Sequence, residues 1–370
     1  VKDGLVQGLQ DCKDEVQQAF LLTLLQKLAT ASDVSVFESY LQKDYLRPYV
    51  LQALAVIPGI DDYLVEKIPS SPLSKSSLAH LISMRQLTNS TLEPLLLSWI
   101  PGADDSTLTE IYHALAVCGT SKSLNPLKAA ASKAGYQYEK THATDSYLQL
   151  LTRLTTTDAK PVNKQASILM KLTNRSVRCA GLQLLLQTSG QKGECEIFKA
   201  LKDEDIQFRN TALQMAEKVA GKAIYSRVAQ KIDQFSLPAQ TDVVRWLGNN
   251  RQQGLVDVIV KKMNDDNKEL ASAAIKAGTQ IGGDQVLKAI IGLLGGRYGE
   301  ESFKALGSFA ENINSTVVGA LDTEGTSAQE KLLQLVAKRK MSQAYPQVIR
   351  LLASENTNVK NAAYDALGEI

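Results

Sequence analysis

A pattern that returns about every thirty residues decides what this chain can fold into. The closing stretch ENTNVKNAAYDALGEI, residues 355–370, carries an amide cap, then Val359-Lys360, small residues, an apolar pair and a glycine. Taking Lys360 as an anchor, we looked upstream for a cap four residues before and apolar or small residues three and seven after. The anchors are Arg178, Arg209, Gln240, Leu270, Gly299, Gln329 and Lys360, spaced 31, 31, 30, 29, 30 and 31 residues apart. Chance alignment of an Ala- and Leu-rich chain would not hold one period across six intervals, so the chain reads as a stack of like units.

Each column of the repeat has a physical meaning. Four residues before the anchor stand Asn174, Asp205, Ser236, Asp266, Gly295, Gly325 and Asn356, all helix N-cap types. At +3 come Gly181, Ala212, Val243, Ala273, Ser302, Leu332 and Ala363, and at +7 Leu185, Ala216, Leu247, Ala277, Leu306, Val336 and Leu367. Positions four apart share a helix face, so these two columns form the packing seam. A second apolar helix precedes each one, as in CEIFKALKD and YPQVIRLLAS. Each unit is therefore a helical hairpin with short connections.

Before residue 160 the pattern is looser. Arg47, Lys75 and Leu108 anchor helices of the right shape; Asp104 caps the third and Ser71-Pro72 reads as the start of the second. The next anchor, Tyr147, lies 39 residues after Leu108, and the excess falls in GYQYEKTHAT, an expected inserted loop near 135–144. A first hairpin half is expected over roughly residues 12–30. The chain thus divides into degenerate repeats over 1–159 and regular ones over 160–370, continuous with the first part.

These units resemble HEAT repeats, the paired-helix repeats of α-solenoids. Pro94 and Pro346, each 14 residues before an anchor, match the proline such repeats carry in their first helix, and Arg178 and Arg209 match the basic residue of the second. The resemblance implies an all-α fold, a right-handed superhelix of about twelve hairpins, whose concave face grips a protein or peptide partner without catalysis or cofactor. Similar bacterial chains adjoin carbohydrate-processing domains, so a second expectation is the non-catalytic arm of a larger, exported or periplasmic enzyme. That reading also takes the start at Val1 and the uncapped end at Ile370 as cut points. Lipid transport ranks last, because it needs an amphipathic sheet that the pattern does not supply.

Composition removes other classes. The 41 Lys and Arg nearly balance 39 Asp and Glu, which argues against the phosphate neutralisation that nucleic-acid binding requires. No apolar run approaches the ~20 residues of a membrane-spanning helix. Cys12, Cys118, Cys179 and Cys195 lack metal-ligand spacing and read as buried small residues, with a Cys179–Cys195 bridge left open.

Candidate binding residues come from the face opposite the seam, at +1 and +5, which is mostly polar. It supplies Gln214, Thr241, Arg245 and Lys304. The segment VVRWLGNNRQQG adds Trp246, Asn249, Asn250 and Arg251, which put an aromatic, amides and a second guanidinium near one helix end. Trp246 has two readings, a contact residue or a filler between units; Trp99 reads as core.

Catalytic readings fail on their residues. His80, His113 and His142 lack the following Glu of the di-iron relatives of the fold, and balanced charge denies the basic cleft of the glycosylase relatives. His113 and Cys118, five apart on one helix, point away from each other. The pairs at Asp61, Asp104 and Asp265 sit at helix starts, where the dipole favours them. GGRYGEES lacks the P-loop Lys-Ser or Lys-Thr. No catalytic, cofactor or metal residue is assigned. The sequons at Asn89, Asn174 and Asn314 matter only in a secretory eukaryote.

Overall fold

The computed structural model describes residues 1–370, the side chain of Gln191 excepted. Twenty-four α-helices and no strand are found among the described residues, so the protein is all-α. They divide into two compact units, Val1–Thr188 and Ser189–Ile370.

The first unit holds six hairpins: α1 (Lys2–Asp11) with α2 (Glu15–Leu25), α3 (Val34–Glu38) with α4 (Arg47–Val56), and α5 (Asp61–Lys67) with α6 (Lys75–Arg85) come first. Then follow α7 (Glu93–Trp99) with α8 (Asp105–Cys118), α9 (Leu124–Lys133) with α10 (Ala143–Leu154), and α11 (Ala159–Leu169) with α12 (Arg175–Thr188). The second unit holds six more: α13 (Gly193–Ala200) with α14 (Ile206–Ala220), α15 (Ile224–Gln230) with α16 (Leu237–Asn249), and α17 (Val256–Met263) with α18 (Lys268–Ile281). It ends with α19 (Asp284–Gly292) and α20 (Gly299–Gly307), α21 (Asn314–Thr323) and α22 (Thr326–Arg339), and α23 (Tyr345–Leu351) and α24 (Thr357–Glu369).

Within each unit the second helices of successive hairpins lie side by side, as α4 on α6 and α6 on α8, or α16 on α18 and α22 on α24. The seam columns make this possible. Every +3 residue is buried, and so is every +7 residue except Leu367 in the last hairpin, which is half-buried. Caps start the helices: the carboxylates of Asp104 and Asp205 accept backbone N–H bonds of 2.8 Å from Thr107 and Gln207, and Asn356 accepts from Asn358 at 3.0 Å.

Several expectations need correction. The cap of α18 is Asn267, whose side chain accepts the Leu270 N–H at 3.0 Å, and not Asp266, whose carboxylate pairs with Arg297 at 2.8 Å. α20 starts after Tyr298 rather than Gly295, because the intervening residues turn so that the Tyr298 hydroxyl can donate to the Asp265 carbonyl at 2.6 Å. α6 begins after Ser74, which accepts from Ser77 N–H at 3.1 Å, and not at Ser71-Pro72. The first hairpin is whole, since residues 2–11 are helical despite Gly4 and Gly8. The compact units divide at 188/189, with α11 packed on α12 inside the first.

All four cysteines are free thiols, so the Cys179–Cys195 bridge is not formed. Only Cys118 is buried; Cys12 and Cys179 are half-buried and Cys195 is exposed. Trp99 lies in the core, and the expected loop near 135–144 is the connection between α9 and α10.

Candidate functional site

Two of the sequence candidates, Arg245 and Asn249, line one groove, between α16 and α18 in the second unit. On α16, Arg245 and Asn249 stand one helical turn apart. Facing them, α18 presents Lys268, Ser272, Lys276 and Gln280, a ladder at every fourth residue, with Glu269 beside it. The groove encloses about 670 Å³. Its floor is shallow because Gly248 lets the two helices approach: a Cβ there would sit 2.6 Å from Ala277 Cα.

Electrostatics tie three successive second helices together beneath this groove. Arg209 of α14 and Asp242 of α16 form a buried pair at 2.7 Å, both side chains 3% exposed. The Arg209 guanidinium also donates to the carbonyls of Asp203 and Glu204, each at 2.8 Å, so it is satisfied on more than one side. Burial pushes the Asp242 carboxyl above its ordinary range, and the Arg209 bonds oppose that shift. Arg245 lies 3.9 Å from the other Asp242 oxygen and donates to Glu269 at 3.1 Å. Asn249 accepts from the Gln280 amide at 3.2 Å, which joins the groove walls at that point. The lining carries Arg245, Lys268 and Lys276 against Glu269; Arg245 pairs with Glu269, and Lys268 pairs with Glu301 of α20 at 3.3 Å.

Two predicted contact residues are corrected. Trp246 is 8% exposed and stacks on Tyr225 of α15 with ring centroids 4.4 Å apart, so it fills the space within its hairpin. Thr241 is 2% exposed, and its hydroxyl donates to the Leu237 carbonyl one turn back on the same helix at 2.9 Å. Asn250 is exposed at the end of α16, where its amide donates to the Trp246 carbonyl at 2.8 Å. Arg251 follows with φ +49°, the left-handed residue that ends the helix. Gln214 and Lys304 are exposed on α14 and α20, outside the groove lining. The lysines and Gln280 on α18 were missed; their four-residue spacing was the available signal.

The first unit has a groove between α4 and α6, of about 480 Å³, lined by Arg47, Gln52, Ser76, His80 and Met84 together with the carboxylates Asp44 and Glu110. His80 Nδ1 lies 3.0 Å from Glu110 of α8. His113 packs on His142 with ring centroids 5.6 Å apart, away from Cys118. Burial pushes the Cys118 thiol up to about 12, which removes it as a nucleophile. Among the described residues, no group of three or more His, Cys, Asp or Glu gathers for a metal, and no helix is long and apolar enough to cross a membrane.

No family model and no curated protein match the chain. Solved structures do. The crystal structure of Kap121p aligns over 98% of this chain with a TM-score of 0.50 and 14% identity. The chain spans about half of that protein, 48% of its length. An engineered protein of the Northeast Structural Genomics Consortium aligns over 100% of this chain and 98% of its own, at 16% identity and a TM-score of 0.35. The stacked hairpins and the Kap121p alignment define the class: an all-α helical-repeat protein.

Proposed function

We propose that this chain is a HEAT-like, non-catalytic binding scaffold whose exposed second-helix faces grip an extended segment of a protein partner. One observation carries the reading: the α16–α18 groove gathers cationic and amide side chains from two repeats. Amides at the groove wall suit a peptide main chain, which presents a donor and an acceptor at every residue. Lys276 and Arg245 suit acidic side chains on that peptide. The recurrence of a groove between second helices in the first unit supports a binding surface repeated along the array.

An arrayed library of synthetic peptides, probed with the intact chain and with an Arg245→Ala/Lys276→Ala variant, tests this. The expected result is selection of peptides rich in Asp and Glu, with binding reduced about tenfold or more in the variant at unchanged helical circular dichroism. Equal binding of acidic and neutral peptides, or selection that survives the double substitution, sinks the reading.

A further inference from the structure

The connection between α9 and α10 is the insertion that breaks the thirty-residue period, and it reaches the face that other second helices leave open. Count from the anchors of α4 to α12 to position +5. Gln52 of α4, Thr152 of α10 and Gln183 of α12 are exposed there, and His80 of α6 is half-buried against Glu110. On α8 the same position is His113, also half-buried. The ring of His142, the last residue of the connection, packs on it with centroids 5.6 Å apart. One turn earlier, at +1, the Thr109 hydroxyl donates to the Lys140 carbonyl at 3.1 Å. Residues 140–142 thus sit on α8 as a bound segment would, with main chain at +1 and a side chain at +5.

The α8 side does not depend on this contact. The Thr109 hydroxyl has a nearer acceptor on its own helix, the Asp105 carbonyl at 2.8 Å, so it stays satisfied when Lys140 leaves. Other bonds hold the connection at its roots and from within. Asn174 donates to the Tyr136 carbonyl at 2.8 Å and the Thr144 hydroxyl to the Gln137 carbonyl at 3.2 Å. The Glu139 carboxylate accepts the Thr141 and Ala143 N–H groups, each at 2.6 Å. Tyr138 is 80% exposed, its ring edge-on to His142 at 5.2 Å. Tyr136 and His142 take φ +55° and +53°, a left-handed backbone that side chains adopt at a cost. Strained backbone brings His142 onto α8, yet the polar contact so made is one shared hydrogen bond beside one pair of rings.

We propose that the α9–α10 connection is an autoinhibitory strap, which occupies the second-helix face of α8 in cis and has to lift before a partner segment can lie there. The proposal rests on the reading that second-helix faces bind such a segment. The groove between α4 and α6 ends on α8 at Glu110, three residues from His113, so the strap closes the surface directly beside it. A partner meets α8 only in the fraction of molecules whose strap is raised, and its apparent affinity there falls by that fraction.

The probe is the strap's own sequence, the peptide GYQYEKTH of residues 135–142, titrated to on the order of 1–10 mM, the effective concentration that a short connection supplies. The receptors are the intact chain and a Tyr138→Gly/His142→Gly variant, which removes both strap rings and leaves the Glu139 cap in place. The chain has three histidines, so ring NMR signals follow His80 and His113 separately. In the variant the peptide should shift His113 saturably and leave His80 still. In the intact chain the His113 shift should be at least tenfold smaller at the same peptide concentration. No shift in the variant overturns the proposal, as does an equal shift in the intact chain or a His80 shift as large as that of His113. Glycine suits the left-handed backbone at 142, so helical circular dichroism should be unchanged; if it falls, Tyr138→Ser/His142→Asn carries the same comparison. Acidic-peptide capture is read on α16 and α18 and strap exchange on α8, so failure of one is told apart from failure of the other.

Discussion

Glu93, at the start of α7, is a buried carboxylate whose role is set by what it touches. It accepts bonds from the Thr120 N–H at 2.7 Å, the Thr120 hydroxyl at 2.7 Å, the Ser123 N–H at 3.1 Å and the Ser123 hydroxyl at 2.5 Å. Those donors open the next hairpin, so one side chain staples two repeats. Burial alone would raise its pKa, but these donors outweigh burial and hold the carboxyl below its ordinary 4.5. The folded chain therefore binds a proton less readily than the unfolded one. Stability from Glu93 is complete above about pH 4.5 and is lost as pH falls through the lower folded value. Glu93→Gln should cost about 2 kcal/mol at pH 7, since the amide group turns a donor toward donors. Urea unfolding at neutral pH and at pH 3 should show the variant's deficit shrinking in acid. A deficit that is constant with pH would mean the staple does not depend on charge.

At the scale of elements, α16 and α18 are in close contact beneath the groove, and Gly248 permits it. Gly248→Ala would push a methyl against Ala277 and the Gln280 side chain, at 2.6 and 2.8 Å. The expected loss is about 2 kcal/mol from overpacking. Peptide capture should weaken as well, although no polar lining residue has changed, because Asn249 and Gln280 move apart. Thermal unfolding combined with the peptide array reads both effects. Elements of this kind were largely legible from the sequence, since a repeat states its seam many times over and single errors average out. Caps were less legible. Asp266 and Asn267 are both cap types, and only the pairing of Asp266 with Arg297 decides between them. Helix α1 escaped notice because two glycines dilute its pattern. The site was legible in part: Arg245 follows from periodicity and Asn249 from the segment VVRWLGNNRQQG, whereas the burial of Trp246 depends on Tyr225, 21 residues earlier on another helix. No local pattern encodes that contact.

Across the whole molecule, hairpins contact mainly their neighbours, so stability is close to a sum of repeat and junction contributions. Chains of this kind often lose the all-or-none unfolding of small domains. Here the division into Val1–Thr188 and Ser189–Ile370 supplies two compact bodies. The first has its own continuous core running from Leu9 to Leu185. Urea titration followed by helical circular dichroism should therefore depart from a single sigmoid. The two residue-level substitutions assign the phases, because Glu93 lies in the first unit and Gly248 in the second. Glu93→Gln should move one phase to lower urea and leave the other in place, and Gly248→Ala should do the reverse. If either substitution shifts one common transition as a whole, the units unfold as a single cooperative body, and the junction at residues 188 and 189 transmits stability as strongly as the junctions inside each unit.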